Sequence, residues 1–175
     1  MIEVNDKSRK KGIFQRGISV ALPVLWTSFI FYNSLQTASR SLEQSGFFVD
    51  LFTSMTRLLY KGAIPQKLLG YIELRLVDDI RSLAHIFEFF VLYLLCYIAF
   101  ASLAKIRRNM SAAFAYGLVI VLMDETIQIF VDGRGFQIKD ILLDCSGMLI
   151  AFLGILLVIY LKTGKSKEIR DESGE

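Results

Sequence analysis

Four runs of apolar residues, each about as long as a bilayer is thick, constrain this chain more than any other feature: Ile18 to Leu35, Leu83 to Ala104, Ser111 to Val131 and Ile141 to Leu161. A helix needs about 20 mostly apolar residues to cross the hydrocarbon core. Every backbone polar group there must be satisfied within the segment, which favours helices. With 54% hydrophobic residues in 175, the expectation is an all-α, polytopic membrane protein built as a bundle of four transmembrane helices. The chain divides into a basic N-terminus (1–17), a membrane domain (18–161, spans about 18–35, 83–104, 111–131 and 141–161) and a charged tail (162–175) expected to lack stable structure.

The first span follows Lys7, Arg9, Lys10, Lys11 and Arg16, as in a signal peptide. It is long for one and no A-x-A site follows, so it reads as a signal anchor, kinked near Pro23. Between spans one and two, Phe47, Phe48, Leu51, Phe52, Met55, Leu58 and Leu59 recur at three- and four-residue spacing between Gly46 and Gly62. This predicts an amphipathic, extracytoplasmic helix lying along the membrane surface or covering the bundle. Its apolar face holds Phe48, Phe52 and Met55, with Asp50 and Arg57 towards water. A second helix is expected to start at Pro65 and lead towards the second span.

Basic residues set the orientation. The N-terminus, the 105–110 loop and the tail carry five, three and four Lys and Arg, whereas the other side carries eight spread over a longer stretch. The denser side is expected to be cytoplasmic. Both termini then lie inside. The basic clusters are short and juxtamembrane, which suits membrane lipid and gives no support to nucleic-acid binding. Cys96 and Cys145 lie within spans and lack metal-like spacing, so they read as small apolar side chains.

Against this apolar background one stretch stands out, Asp124 to Gly147, with Asp124, Glu125, Gln128, Asp132, Arg134, Asp140 and Asp144. Polar groups in a membrane are expensive and mark functional sites. The second span adds His85 and Glu88. These share a helix face at i, i+3, as do Glu125 and Gln128, while Asp140 and Asp144 do so at i, i+4. The assigned topology brings the start of span two, the end of span three and the start of span four to one level. Arg134, in the turn between glycines, is expected to fold back over the acids, where its fork suits bidentate pairing.

The catalytic candidates are His85, Glu88 and Glu125, and the binding candidates are Gln128, Arg134, Asp140 and Asp144. All seven are expected to enclose one pocket; Asp124 is left out of it. Three uses are compatible with these residues: a divalent metal held for hydrolysis, a general base at His85, or binding of a polar headgroup without turnover. The plain alternative is a hydrogen-bonded network joining helices. Asp132 and Lys139 read as solvated charges, Tyr93 and Tyr97 as core residues able to reach a buried acid, and Gly147 with Ala151 as a close-packing site. Whether there is catalysis, a metal or a cofactor stays open at this point.

At these residues the chain resembles the VanZ-like family of bacterial membrane proteins. RSLAHIFEFFVL matches its K/R-x-x-A-H-x-x-E-[YF] segment through Arg81, Ala84, His85 and Glu88. DETIQIFVDGRGFQIKDILLDCSG matches its D-E-x-x-Q-x-F-x-x-G-R-x-x-x-x-x-D-x-x-x-[ND]-x-x-G segment, and SLQTASRSLEQSG its polar stretch after the first span. Two positions depart: Ile127 stands where many relatives have His, and Asp144 where some have Asn. The resemblance implies a bacterial plasma-membrane location and a cell-envelope role, in a family named for resistance to teicoplanin-type glycopeptides. It leaves the ligand unidentified; membrane lipid, a lipid-linked cell-wall precursor and the glycopeptide are the partner classes carried forward. It brings no settled reaction, so an intramembrane hydrolase and a structural or partner-binding subunit remain the alternatives.

Overall fold

In the computed structural model, residues 2–60, 66–102 and 106–173 are described; side chains are described within 14–164, with gaps. Five α-helices follow in order: α1 (Ile2–Ser34), α2 (Ala38–Tyr60), α3 (Gln66–Ala101), α4 (Ile106–Gln128) and α5 (Ile138–Ser173), with no strand among the described residues. Four of them are long and apolar enough to cross a membrane, over Phe14–Ser34, Arg75–Ala101, Asn109–Gln128 and Ile138–Gly164. The expected all-helical, four-span architecture is therefore present.

The element boundaries differ from expectation in instructive ways. α2 starts at Ala38, ahead of Gly46, because Thr37 caps it: Thr37 Oγ1 accepts from Arg40 N at 3.4 Å and its carbonyl from Ser41 N at 3.0 Å. On α2 Val49 is buried, whereas Phe47, Leu51 and Met55 are exposed along with Asp50. The side chains of Phe48, Phe52 and Arg57 lie outside the described residues, as does Pro65. The segment from Gln66 and the second span form a single helix ending at Ala101. α4 stops at Gln128, short of Val131, because Phe130 N and Val131 N bond three residues back, to Ile127 and Gln128. The tail is not unstructured up to Ser173, since α5 continues through it. Lys162, Lys165, Lys167, Glu168, Arg170 and Glu172 are good helix formers, and the tail holds no proline. α1 likewise runs unbroken from Ile2 across Pro23.

α3 is the hub and contacts all four other helices, most extensively α5. Its core consists of Phe89, Leu92, Tyr93 and Cys96, packed against Ile30, Ala113, Ile120, Val121, Met148 and Ala151. Phe114 and Phe152 meet the Tyr93 ring edge-on at 6.3 and 6.4 Å. One contact requires a glycine: a Cβ on Gly147 would fall on the Ile86 carbonyl of α3, whereas one on Gly117 would meet only the flexible Met148 side chain. The helix backbones thus approach closely, as helices do where lipid leaves only packing and polar contacts to drive association. Leu25, Leu83, Phe87, Leu122 and Leu157 face outward and are more than half exposed. Apolar outside and polar within is the arrangement lipid favours.

Candidate functional site

The turn of the bundle that ends α1 and α4 and begins α5 carries the polar groups. Ser34, His85, Asp124, Glu125, Gln128, Asp140 and Asp144 are all buried there, with Glu125, Gln128 and Asp144 at 0% exposure. Asn33 and Glu88, half-buried, adjoin them.

His85 lies between two carboxylates of α5. Its Nδ1 is 3.0 Å from Asp144 Oδ1, and its Nε2 3.8 Å from Asp140 Oδ2. The same Asp140 oxygen accepts from Arg81 Nη2 at 3.4 Å. On the α1 side, Asn33 Nδ2 donates to Glu88 Oε1 at 2.7 Å, and Trp26 Nε1 donates to the Glu88 carbonyl at 2.9 Å. Asp124 is held from two helices: Ser34 Oγ contacts its Oδ1, and Gln128 Nε2 donates to its Oδ2 at 2.9 Å. Glu125 Oε2 reaches past the end of α4 and accepts the Gln137 amide at 2.7 Å. These chains of contacts converge, because one donor atom each from His85, Asp124 and Asp144 lie within 4.8 Å of one another.

Satisfaction is incomplete. Glu125 Oε1, Gln128 Oε1 and Asp144 Oδ2 are buried with no hydrogen-bond partner, and so is Arg134 Nε. Buried polar atoms in native proteins are overwhelmingly paired, so each exception requires an account. Three of these four are acceptors.

Of the seven expected site residues, the structure gathers His85, Glu88, Glu125, Gln128, Asp140 and Asp144. Arg134 needs a correction. It makes no ion pair within 4 Å among the described residues, so the expected bidentate clamp is absent, and Arg81 pairs with Asp140 instead. Gly133 has φ +75° and its turn is drawn against α2, where Ala38 N donates to the Asp132 carbonyl at 3.3 Å. Burial and the like charge of Arg81 pull the Arg134 guanidinium below its ordinary range, while Asp124, Asp140 and Glu88 pull it back. It stands near the acids without touching them.

Asp124, outside the expected set, is one of the most buried members of the site. The available signal was its i, i+4 spacing to Gln128, the pair that is in fact bonded. Asn33 and Ser34 were visible only as the polar end of span one. Tyr93 does not bond an acid; its hydroxyl donates to the Met110 carbonyl at 3.2 Å. Asp132 and Lys139 are exposed as expected. An apolar cavity of about 440 Å³ lies elsewhere, between α3 and α5, lined by Phe90, Leu94, Tyr97, Ile155, Val158 and Lys162 among others.

No curated protein and no solved structure matches the chain. The family model VanZ/LLP1 does, over residues 19–160, a range that contains every residue of the polar cluster. The chain, a multi-pass membrane protein by its four spans, belongs to the VanZ/LLP1 family.

Proposed function

We propose that this protein resides in a bacterial plasma membrane with both termini cytoplasmic, and that its polar cluster, facing the extracytoplasmic side, binds the polar part of a cell-envelope component. A lipid-linked cell-wall precursor is the fitting class, and its capture would alter the response to teicoplanin-type glycopeptides. One observation carries this reading: four helices contribute to a buried cluster that still has unpartnered Glu125 Oε1, Gln128 Oε1 and Asp144 Oδ2. A network serving only to join helices is expected to satisfy its own acceptors, since an unsatisfied one costs about 1–3 kcal/mol. These oxygens suit a ligand rich in donors or carrying a cation. A second reading, hydrolysis with His85 as general base, is favoured by the Asp144–His85–Asp140 arrangement, which would orient the ring.

Glycopeptide susceptibility of cells expressing His85→Gln and Glu125→Gln at matched membrane levels tests the binding site. Both variants are expected to lose the parent's effect; parental behaviour in both would make the cluster structural. Orientation is tested by cysteine accessibility at Ser45 and Asp132. Asp132 is the better choice over Gly133, whose positive φ penalises any side chain. Labelling from the cytoplasmic side alone would overturn the orientation and the shared extracytoplasmic level.

A further inference from the structure

We propose that His85, Asp124 and Asp144 hold a divalent metal ion of the Zn²⁺ or Mn²⁺ class, and that this ion presents an open coordination position to an anionic oxygen of the ligand. The open position rests on the envelope-binding reading above; the metal itself does not.

The donor set comes from three helices, α3, α4 and α5, which no local turn would gather by chance. The three donor atoms lie within 4.8 Å of one another, and the His85–Asp144 pair is already at 3.0 Å. Bonds of about 2.0–2.2 Å to a central ion bring such atoms to within about 4.4 Å of one another, a movement within reach of side-chain rotation. One imidazole with two carboxylates is a mixed hard and borderline set, suited to Zn²⁺ or Mn²⁺ rather than to the all-oxygen sites of Ca²⁺ and Mg²⁺.

A second, independent observation points to an ion. Asp144 is 0% exposed, yet its Oδ2 has no partner, and the equally buried Glu125 Oε1 has none. Proton sharing inside the cluster accounts for His85 facing Asp144 Oδ1, but not for the second Asp144 oxygen.

The surroundings are those of a metal site. If Nδ1 is the ligand, Nε2 points to Asp140, which Arg81 steadies, giving the carboxylate–histidine–metal order common to such centres. Asp124 is oriented by Ser34 and Gln128. Charge agrees: among the described residues the carboxylates of Glu88, Asp124, Glu125, Asp140 and Asp144 face two guanidinium groups, Arg81 and Arg134. With all five ionised and His85 neutral, three negative charges are left over, and a divalent ion removes two of them. It also resolves a conflict, because acids alone repel a phosphate-bearing ligand and an acid-held cation attracts it.

The test uses the full chain purified in detergent, stripped with EDTA, exposed to Zn²⁺ or Mn²⁺ and desalted, with metal content measured by mass spectrometry. One ion per chain is expected for the parent and for Thr126→Ala, an exposed α4 control, and under one-tenth for Asp124→Asn and Asp144→Asn eluting as folded protein. Co²⁺ loading of the parent should give visible ligand-field bands that EDTA abolishes, a readout independent of how the variants fold. Substoichiometric metal in the parent with all three ions would overturn the proposal, as would full metal content in both Asn variants. Stoichiometric metal together with parental glycopeptide susceptibility of His85→Gln would leave the metal site standing and remove the envelope reading.

Discussion

Helices α3, α4 and α5 pack together at two levels made of different material. At one, Phe89, Leu92, Tyr93, Ala113, Val121, Met148 and Ala151 form an apolar core with the aromatic rings edge-on. About one to two helical turns away along α3, the same helices bury His85, Asp124, Glu125, Gln128, Asp140 and Asp144. The first level is what a bundle needs in order to associate. The second is what a bundle seeking only stability would avoid, because buried ionic networks are seldom more stable than well-packed apolar replacements. The boundary between the levels is Gly147, where α5 presses on the backbone of α3 at Ile86 and Phe90. The scaffold and the site are therefore separable by mutation.

The largest effect should come from the apolar level. Tyr93→Ala is expected to cost about 4 kcal/mol, read as thermal unfolding in detergent, while surviving folded protein keeps the proposed effect on glycopeptide susceptibility. A stable Tyr93→Ala protein would show that the apolar core is not the scaffold. Next comes the boundary: Gly147→Leu should cost about 3 kcal/mol by forcing α3 and α5 apart, and should disturb function as well, because it moves His85 relative to Asp144. Stability unaffected by Gly147→Leu would contradict the close approach. At the polar level, Asn33→Ala should cost about 1–2 kcal/mol by stripping Glu88 of its donor. A gain in stability there would mean that the Glu88 carboxylate was never held by Asn33. Smallest of all is Arg81→Gln, about 0.5 kcal/mol at a partly exposed 3.4 Å pair. A larger loss would move Arg81 from the rim into the structural network.

Much of this was legible in the sequence, for reasons specific to each element. The spans were visible because hydrocarbon demands long apolar runs, and the face-sharing pairs because helix geometry is fixed. What periodicity cannot show is which helix faces which. Asn33 and Ser34 are ordinary residues at the end of a span until α1 is seen to run beside α4 and to place them against Glu88 and Asp124. The same gap misplaces the arginines: the expected partner of the acids lies in the turn, whereas the arginine pair among the described residues of this level is a single contact of Arg81 with Asp140, on the helix already carrying His85. Thr37 moved the start of α2 by a single cap, a signal of a few tenths to about 2 kcal/mol that the hydrophobic pattern outweighed.

The direction of the helices has a consequence for the acids of this level. α1 and α4 end here and α5 begins here, so the level receives the negative ends of two helix dipoles and the positive end of one. Asp140, in the first turn of α5, sits where backbone amides welcome a negative charge. Asp124 and Glu125, in the last turns of α4, sit where backbone carbonyls oppose one. Acids of like chemistry within one cluster are thus held in fields of opposite sign. Removing the charge from Asp140 forfeits a favourable placement, whereas removing it from Asp124 relieves an unfavourable one.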